Sequence, residues 1–198
     1  DDVIGLLDRS NVSVLDENSN KDAAIVSTQR DLIAGEVSKD IARRKLIPTD
    51  ILEAHDSGAI HFHDMDYIIQ PMFNCCLINL EDMLTNGTVI NGKKIDTPKS
   101  FQVACTVTTQ IIAQVASGQY GGQSINGIDR ILAPFVRKSY EKILNNVIEE
   151  QVEIYGMEPN MEKAREIAWN RTRKEVKDGI QTIQYQINTL MTTNGQSP

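Results

Sequence analysis

Basic residues are scarce in this chain: 20 Lys and Arg stand against 27 Asp and Glu among 198 residues, for a formal charge of −7. They are scattered and form no stripe, so the footprint for a phosphate backbone is missing. Nucleic acid is therefore not an expected partner, although single nucleotides stay open. A long apolar run is missing too. The longest uncharged stretch, Ser100 to Asn126, is filled with Thr, Gln, Ser and Gly, and no membrane span is expected. The opening Asp1-Asp2-Val3 offers neither a charged n-region nor an apolar h-region, so no signal peptide is visible. Only three cysteines occur, two of them adjacent (Cys75 and Cys76). An odd count without framework spacing excludes a disulfide scaffold and favours a reducing, cytoplasmic setting. Twelve glycines and six prolines are too few for collagen-like or low-complexity sequence. With 40% hydrophobic and 24% charged residues, the composition is that of a globular protein with room for a sizeable core. The chain starts without Met and stops at Asn194-Gly195-Gln196-Ser197-Pro198, just after a long helical pattern, so a segment of something longer is expected.

The patterning is mainly helical. Residues 20 to 46 carry Ile33, Val37 and Ile41 at helical spacing, with charges on the other face, and Pro48 closes the run. Asp50 with Glu53 has the form of a capping box for a short helix, and Gly58 stands at the left-handed C-terminal cap. From Ala59 to Leu80 the residues become β-branched, aromatic and sulfur-bearing. Pro71 interrupts them, which predicts a loop followed by a strand at about 72 to 80, buried on both faces as in a parallel sheet or barrel. Asn91-Gly92 marks a small hairpin within residues 89 to 95. Ser100 caps a helix over 101 to 117 that is apolar nearly all round, and Gly118, Gly121 and Gly122 end it. A second helix over 129 to 154 has Ile131, Leu132, Phe135, Val136, Tyr140, Ile143, Leu144 and Val147 on one face, with Pro134 in an early turn. Pro159 and Asn160 open a third over 160 to 193, whose residues Val176, Ile180, Ile183, Ile187 and Leu190 form a coiled-coil-like seam. At about 1.5 Å per residue it runs roughly 50 Å, longer than a small domain usually covers, which predicts packing on a partner chain or on further sequence.

Three clusters can carry chemistry. In His61-Phe62-His63-Asp64-Met65-Asp66 the two histidines fall on one side of an extended segment and can share an ion. No third ligand stands at typical spacing, and hydrogen-bonded histidines orienting a loop account for the pattern more simply. In Asn74-Cys75-Cys76, strand alternation lets at most one thiol face a given cavity. That thiol can give up a hydrogen atom or pair with a distant thiol, or it can serve as a small hydrophobe. Cys105, within the buried helix, is read as packing. Gly118-Gln119-Tyr120-Gly121-Gly122-Gln123-Ser124 can present amides to a phosphate, but it lacks the P-loop and dinucleotide-binding spacings and reads better as a tight interhelical turn.

Several segments, in one order, resemble the anaerobic (class III) ribonucleoside-triphosphate reductases. They are His61-Phe62-His63-Asp64 to Pro71-Met72-Phe73-Asn74-Cys75, Lys99-Ser100 to Ser117, Tyr120-Gly121-Gly122, Ile128-Asp129 with Leu132-Ala133-Pro134-Phe135, and Asn188-Thr189-Leu190 to Pro198. The resemblance covers about residues 20 to 198. It implies a fragment of a ten-stranded α/β barrel glycyl-radical enzyme. Residues 1–198 would be the N-terminal part of its catalytic domain: a helical dimer and effector region plus the first barrel strand. Such a piece should read as mainly α with a few short strands. In that family a thiyl radical on a loop cysteine abstracts the 3′ hydrogen of the ribose and formate commonly supplies reducing equivalents. A second cysteine, on the first strand, stands beside the 2′ carbon. Cys75 matches this second cysteine by motif position, so the resemblance implies that it gives a hydrogen atom to the substrate radical, with Cys76 turned away.

The same resemblance implies that Asn74, His61 and His63 shape the substrate pocket, the histidines without metal. It also implies a homodimer with dNTP effectors at the subunit interface, for which Lys99 and Lys142 are expected phosphate contacts and Gln110 and Gln186 base or sugar contacts. The full enzyme would use a glycyl radical, structural zinc and dNTP or ATP effectors, and a radical-SAM activating enzyme as partner. The chain stops short of the family's loop cysteine, zinc cluster and glycyl-radical site, and shows no ATP cone, so it is not expected to turn over alone. The other readings are a non-catalytic helical dimerisation or nucleotide-sensing module, and a glycyl-radical enzyme acting on another substrate.

Overall fold

A computed structural model describes residues 2–8, 10, 24–156 and 158–192. The expected helical residues 20–23 and the terminal motif 194–198 lie outside the described residues, as does residue 193 at the end of the expected third helix. The chain divides into two units. One holds the residues up to Cys76 together with Ala116–Gly122 and 191–192, and the other holds Leu77–Val115 and Gln123–Leu190. The architecture is mainly helical, with four short strands among the described residues.

In the first unit α1 (Asp2–Leu7) packs on α2 (Val26–Ile41), which widens into a π-helical turn at Ala42–Leu46. The expected apolar face is not the one that is buried. Val37 is 49% exposed, whereas Thr28, Gly35, Ser38 and Ala42 are enclosed. The cause is close approach: a 3-10 turn at Met65–Tyr67 lies on this face, where a Cβ added to Gly35 would stand 3.2 Å from the Asp66 Cβ. The Ser38 hydroxyl donates to the Met65 carbonyl at 3.2 Å. Small side chains admit the turn, and Ile33, Val37 and Ile41 are left beside it. Helix α3 (Thr49–Asp56) starts one residue before the expected cap, with Pro48 at its N-cap and no side-chain cap bond. Asp50 therefore lies inside the helix and forms no capping box. Gly58 takes the left-handed conformation as expected, at φ 77°.

The predicted strand over 72–80 shrinks to β1 (Cys76–Leu77), and it is not covered on both faces: Phe73 is 79% and Leu77 72% exposed. Among the described residues β1 pairs with β4 (Gln123–Ser124), through Cys76 N–H to the Gly122 carbonyl at 3.3 Å and Ile78 N–H to the Ser124 carbonyl at 3.0 Å. Among the described residues no further strand flanks this pair, so the run is enclosed only in part, with Ile78 and Leu80 buried while Phe73 and Leu77 stay exposed.

In the second unit α4 (Leu80–Thr85) precedes the expected hairpin, β2 (Thr88–Ile90) antiparallel to β3 (Lys93–Ile95). Its turn has Asn91 at φ 49° and Gly92 at φ 72°, the left-handed pair that a two-residue primed turn requires. Helices α5 (Phe101–Ala116), α6 (Ile128–Glu149, running into a π turn at Glu150–Ile154) and α7 (Met161–Thr189) follow. Ser100 caps α5 by accepting from Val103 N–H at 3.3 Å. The next free donors are met from the other helices: Phe101 N–H reaches Ser139 Oγ at 2.8 Å and Gln102 N–H reaches Glu175 Oε1 at 3.0 Å. The orphan amides of a buried helix start are thus satisfied. Asn160 caps α7, accepting from Lys163 N–H at 3.0 Å.

Helix α6 buries Leu132, Phe135 and Val147 as its pattern predicts. In α7 the enclosed line is Ala164, Ala168, Thr172, Gly179 and Ile183, while Ile180 and Leu190 of the expected seam are 42% and 40% exposed. Small residues again win the inner face because they let neighbouring helices approach closely: a Cβ on Gly179 would meet Phe101 Cε1 at 2.6 Å. Among the described residues no helix is long and apolar enough to cross a membrane.

Candidate active site

The three histidines of the chain gather in the first unit. His61 Nε2 and His63 Nδ1 are 3.3 Å apart, and the His55 ring lies 5.7 Å from that of His61. His55 is held from α3 and accepts from Phe62 N–H at 3.3 Å. His63 reaches on to Asp64, Nε2 to Oδ1 at 3.2 Å. Asp64 occupies the left-handed region at φ 56°, a conformation that costs a residue with a Cβ roughly 1–2 kcal/mol and persists only where the surroundings hold it. Here its carbonyl accepts from Tyr67 N–H at 3.0 Å and starts the 3-10 turn. Among the described residues, no group of three or more His, Cys, Asp or Glu is arranged to hold a metal ion.

The second part of the site is an edge. The 119–121 segment runs alongside 73–74: Phe73 and Gln119 form a parallel bridge, Tyr120 N–H donates to the Phe73 carbonyl at 3.1 Å, and Gly121 N–H donates to the Asn74 carbonyl at 2.8 Å. Gly121 has to be glycine, because a Cβ there would stand 2.4 Å from the Asn74 carbonyl oxygen. The Tyr120 and Gly121 amides of the glycine-rich segment are thus taken up by the 73–74 edge, which makes the segment the partner of the Asn74 backbone. Cys75 follows, just ahead of β1 rather than buried within a strand. It is exposed, and its thiol donates to Asn74 Oδ1 at 3.4 Å, while Cys76 is half-buried. An exposed edge thiol can meet a ligand in a way that a core thiol cannot.

The ring of Tyr120 joins the two parts. It stacks on Tyr67 with centroids 4.4 Å apart and planes 7° apart. Burial pushes the Tyr120 hydroxyl up, aided by the nearby charges of Asp64, Asp66 and Cys75. Burial likewise raises Tyr67, with the charges of Asp31 and Asp66 adding to it, and its hydroxyl donates to Asp31 Oδ2 at 3.2 Å. Both phenols therefore stay protonated across the physiological range. Sequence reasoning passed over Tyr67, Tyr120 and Asp31. The available signal was Gly121-Gly122 directly after an aromatic residue, a mark of close backbone approach.

The expected effector contacts all belong to the second unit. Lys99, just ahead of α5, Gln110 on α5 and Lys142 on α6 are exposed, and Gln186 on α7 is half-buried. Among the described residues, none of the four is joined to another by a hydrogen bond or ion pair. Nor do they line the apolar cavity of about 380 Å³ formed by Phe101, Ile128, Leu132, Val136, Val176 and Ile180 with Asp129 and Ala133.

Residues 17–198 match the family described as Anaerobic ribonucleoside-triphosphate reductase. Over all 198 residues the chain is 48% identical to the Anaerobic ribonucleoside-triphosphate reductase of Escherichia coli (strain K12), 46% to that of Haemophilus influenzae and 42% to that of Enterobacteria phage T4. It spans 26%, 27% and 31% of the length of these relatives. A family match over residues 17–198, with 42–48% identity to these relatives along the whole chain, makes the chain a member of the anaerobic ribonucleoside-triphosphate reductase family.

Proposed function

We propose that the chain is the N-terminal part of the catalytic subunit of an anaerobic reductase that converts ribonucleoside triphosphates to deoxyribonucleoside triphosphates, and that Cys75 gives a hydrogen atom to the substrate. The observation that carries this reading is the exposed Cys75 thiol on an edge whose backbone is held by Gly121. The glycyl radical of the whole enzyme supplies hydrogen-atom abstraction, by way of a loop cysteine, and formate supplies the reducing equivalents. The residues of this chain bind and orient. Asn74 holds the thiol through its side-chain oxygen, so the S–H bond has one preferred direction. His61 and His63 are exposed and paired, and the remaining ring nitrogen of His61 is placed to meet a substrate hydroxyl group.

On this reading the helices of the second unit form the dimer and effector region, with Lys99, Gln110, Lys142 and Gln186 as dNTP contacts and a second copy of the subunit as partner. A radical-SAM enzyme activates the whole protein, and structural zinc belongs to its remainder. The piece alone does not turn over. The test is Cys75→Ser and Cys76→Ser in the full-length enzyme. Cys75→Ser should abolish turnover and leave the melting temperature nearly unchanged, whereas Cys76→Ser should remain active. Equal loss in both, or an active Cys75→Ser, would refute the assignment.

A further inference from the structure

We infer that Asp64, His63 and His61 form a string that carries one proton to a substrate hydroxyl, with His61 Nδ1 as the atom that gives it up. The inference rests on the reading of the chain as part of a reductase, and it gives the histidine pair of that site its chemistry. Both ring nitrogens of His63 are engaged: Nδ1 stands 3.3 Å from His61 Nε2, and Nε2 stands 3.2 Å from Asp64 Oδ1. These contacts fix the tautomers in order. A carboxylate only accepts, so His63 Nε2 carries a hydrogen; a neutral His63 then accepts at Nδ1, and His61 must donate from Nε2. His61 Nδ1 is left as an open lone pair. When one proton is added there, the His61 Nε2 hydrogen moves to His63 Nδ1, and the positive charge comes to rest on His63 beside Asp64. The outward nitrogen has then changed from acceptor to donor, while His61 itself is neutral.

The neighbouring ionisable groups stand outside the string. His55, whose ring lies 5.7 Å from that of His61, accepts from Phe62 N–H at Nδ1 and so has its hydrogen on Nε2. Asp66 turns to α2, its Cβ 3.2 Å from where a Cβ on Gly35 would stand. Asp64 is kept in line by its left-handed backbone, φ 56°, with its carbonyl accepting from Tyr67 N–H at 3.0 Å. Tyr67 ties the string to the thiol edge: its ring stacks on Tyr120 at 4.4 Å, and Tyr120 N–H donates at 3.1 Å to the Phe73 carbonyl of the Phe73-Asn74-Cys75 run. Replacing a ribose C–OH by C–H requires the oxygen to leave, and it leaves far more readily as water than as hydroxide. Once the 3′ hydrogen has been abstracted, His61 Nδ1 gives its proton to the 2′ oxygen, and water departs with the electron pair of the C2′–O bond. His63 returns a proton to His61 Nε2. The positive charge left on the ribose is discharged as the 3′ hydroxyl proton, which the emptied His61 Nδ1 accepts, so the string ends charged as it began.

Variants of the full-length enzyme test this. His61→Ala should lower kcat by about 100-fold or more with KM little changed, and added imidazole should restore part of the loss, which a purely structural histidine would not allow. His63→Gln still offers a donor and an acceptor but cannot hold the charge. Asp64→Asn keeps the left-handed backbone, which asparagine tolerates, and removes the carboxylate. Each of these two should lower kcat by about tenfold or more with KM little changed. A second readout needs no turnover. Diethyl pyrocarbonate acylates an imidazole nitrogen that has a free lone pair, so mass spectrometry of the peptides should find His61 modified faster than His63, although the His63 side chain is 68% exposed. His63 modified first would overturn the tautomer order and the inference with it, as would wild-type kcat in His61→Ala or a folded His61→Ala enzyme that imidazole does not rescue. If His61→Ala fails to fold, a wild-type kcat in His63→Gln overturns it alone. An active Cys75→Ser enzyme would instead sink the reading of Cys75, and the order of histidine modification would still report on the string.

Discussion

Adding one methyl group at Gly121 should disable the site, whereas adding it at Gly122 should not. A Cβ on Gly121 would stand 2.1 Å from Asn74 Oδ1, 2.4 Å from the Asn74 carbonyl oxygen and 3.0 Å from its carbonyl carbon. Two of those three atoms are backbone, so no rotamer change clears the clash. To restore van der Waals separation the 119–121 segment and the Asn74 peptide must part by about 1 Å. The Gly121 N–H to Asn74 carbonyl bond, 2.8 Å long, is then lost at about 1 kcal/mol, and the overpacking adds about 1–3 kcal/mol. The site suffers more than the fold, because a 1 Å misplacement of a reacting group costs on the order of 100-fold in rate. A Cβ on Gly122 meets nothing within 4 Å, which makes Gly122→Ala the internal control. Turnover and thermal melting of the two full-length variants should therefore diverge: Gly121→Ala slowed by about two orders of magnitude with a lowered melting temperature, Gly122→Ala close to wild type. Wild-type turnover in Gly121→Ala would refute the close approach of the Tyr120–Gly121 peptide to Asn74 and everything built on it.

Three further tests concern the second unit and the thiols. Burial and the Glu175 charge push the Cys105 thiol up to about 11, so in native protein near pH 8 iodoacetamide should label Cys75 and leave Cys105 unmodified; mass spectrometry of the peptides checks this, and rapid Cys105 labelling would contradict its burial. Because its folded value lies above the unfolded one near 9, Cys105 contributes fully to stability below about pH 9. That contribution, on the order of 2 kcal/mol, is lost as the pH rises toward about 11, and Cys105→Ala should flatten this alkaline fall in melting temperature. At Gly179 a Cβ would meet Phe101 Cε1 at 2.6 Å and Cys105 Sγ at 2.9 Å. Overpacking of about 1–3 kcal/mol should outweigh the helix propensity of about 1 kcal/mol that alanine brings; a melting temperature raised by Gly179→Ala would show that Phe101 yields freely.

Much of the element map was legible in the chain itself. Ser100 and Asn160 stand where helix caps belong and cap as read. Asn91-Gly92 makes its hairpin turn, and Gly58 closes α3 in the left-handed conformation. These are local rules, in which a residue and its neighbours within a few positions decide the backbone, so one sequence suffices. The ordered motifs likewise carried the family, which the match over residues 17–198 established.

What one residue's neighbours cannot encode is which face meets what. Val37 and Ile180 carry the hydrophobicity of α2 and α7, yet the enclosed lines run through Gly35 and Ser38 and through Ala168, Thr172 and Gly179. Helix contact distance there is set by the smallest side chains of two distant segments at once. The apolar run around Cys75 looked like a buried strand, but burial requires neighbours on both faces, and the structure leaves Phe73, Cys75 and Leu77 exposed. The sequence by itself determined the helices, the turns and the family. Only the tertiary structure brought Gly121 against Asn74 and Tyr120 onto Tyr67, because those contacts join residues far apart along the chain, where no periodicity reaches.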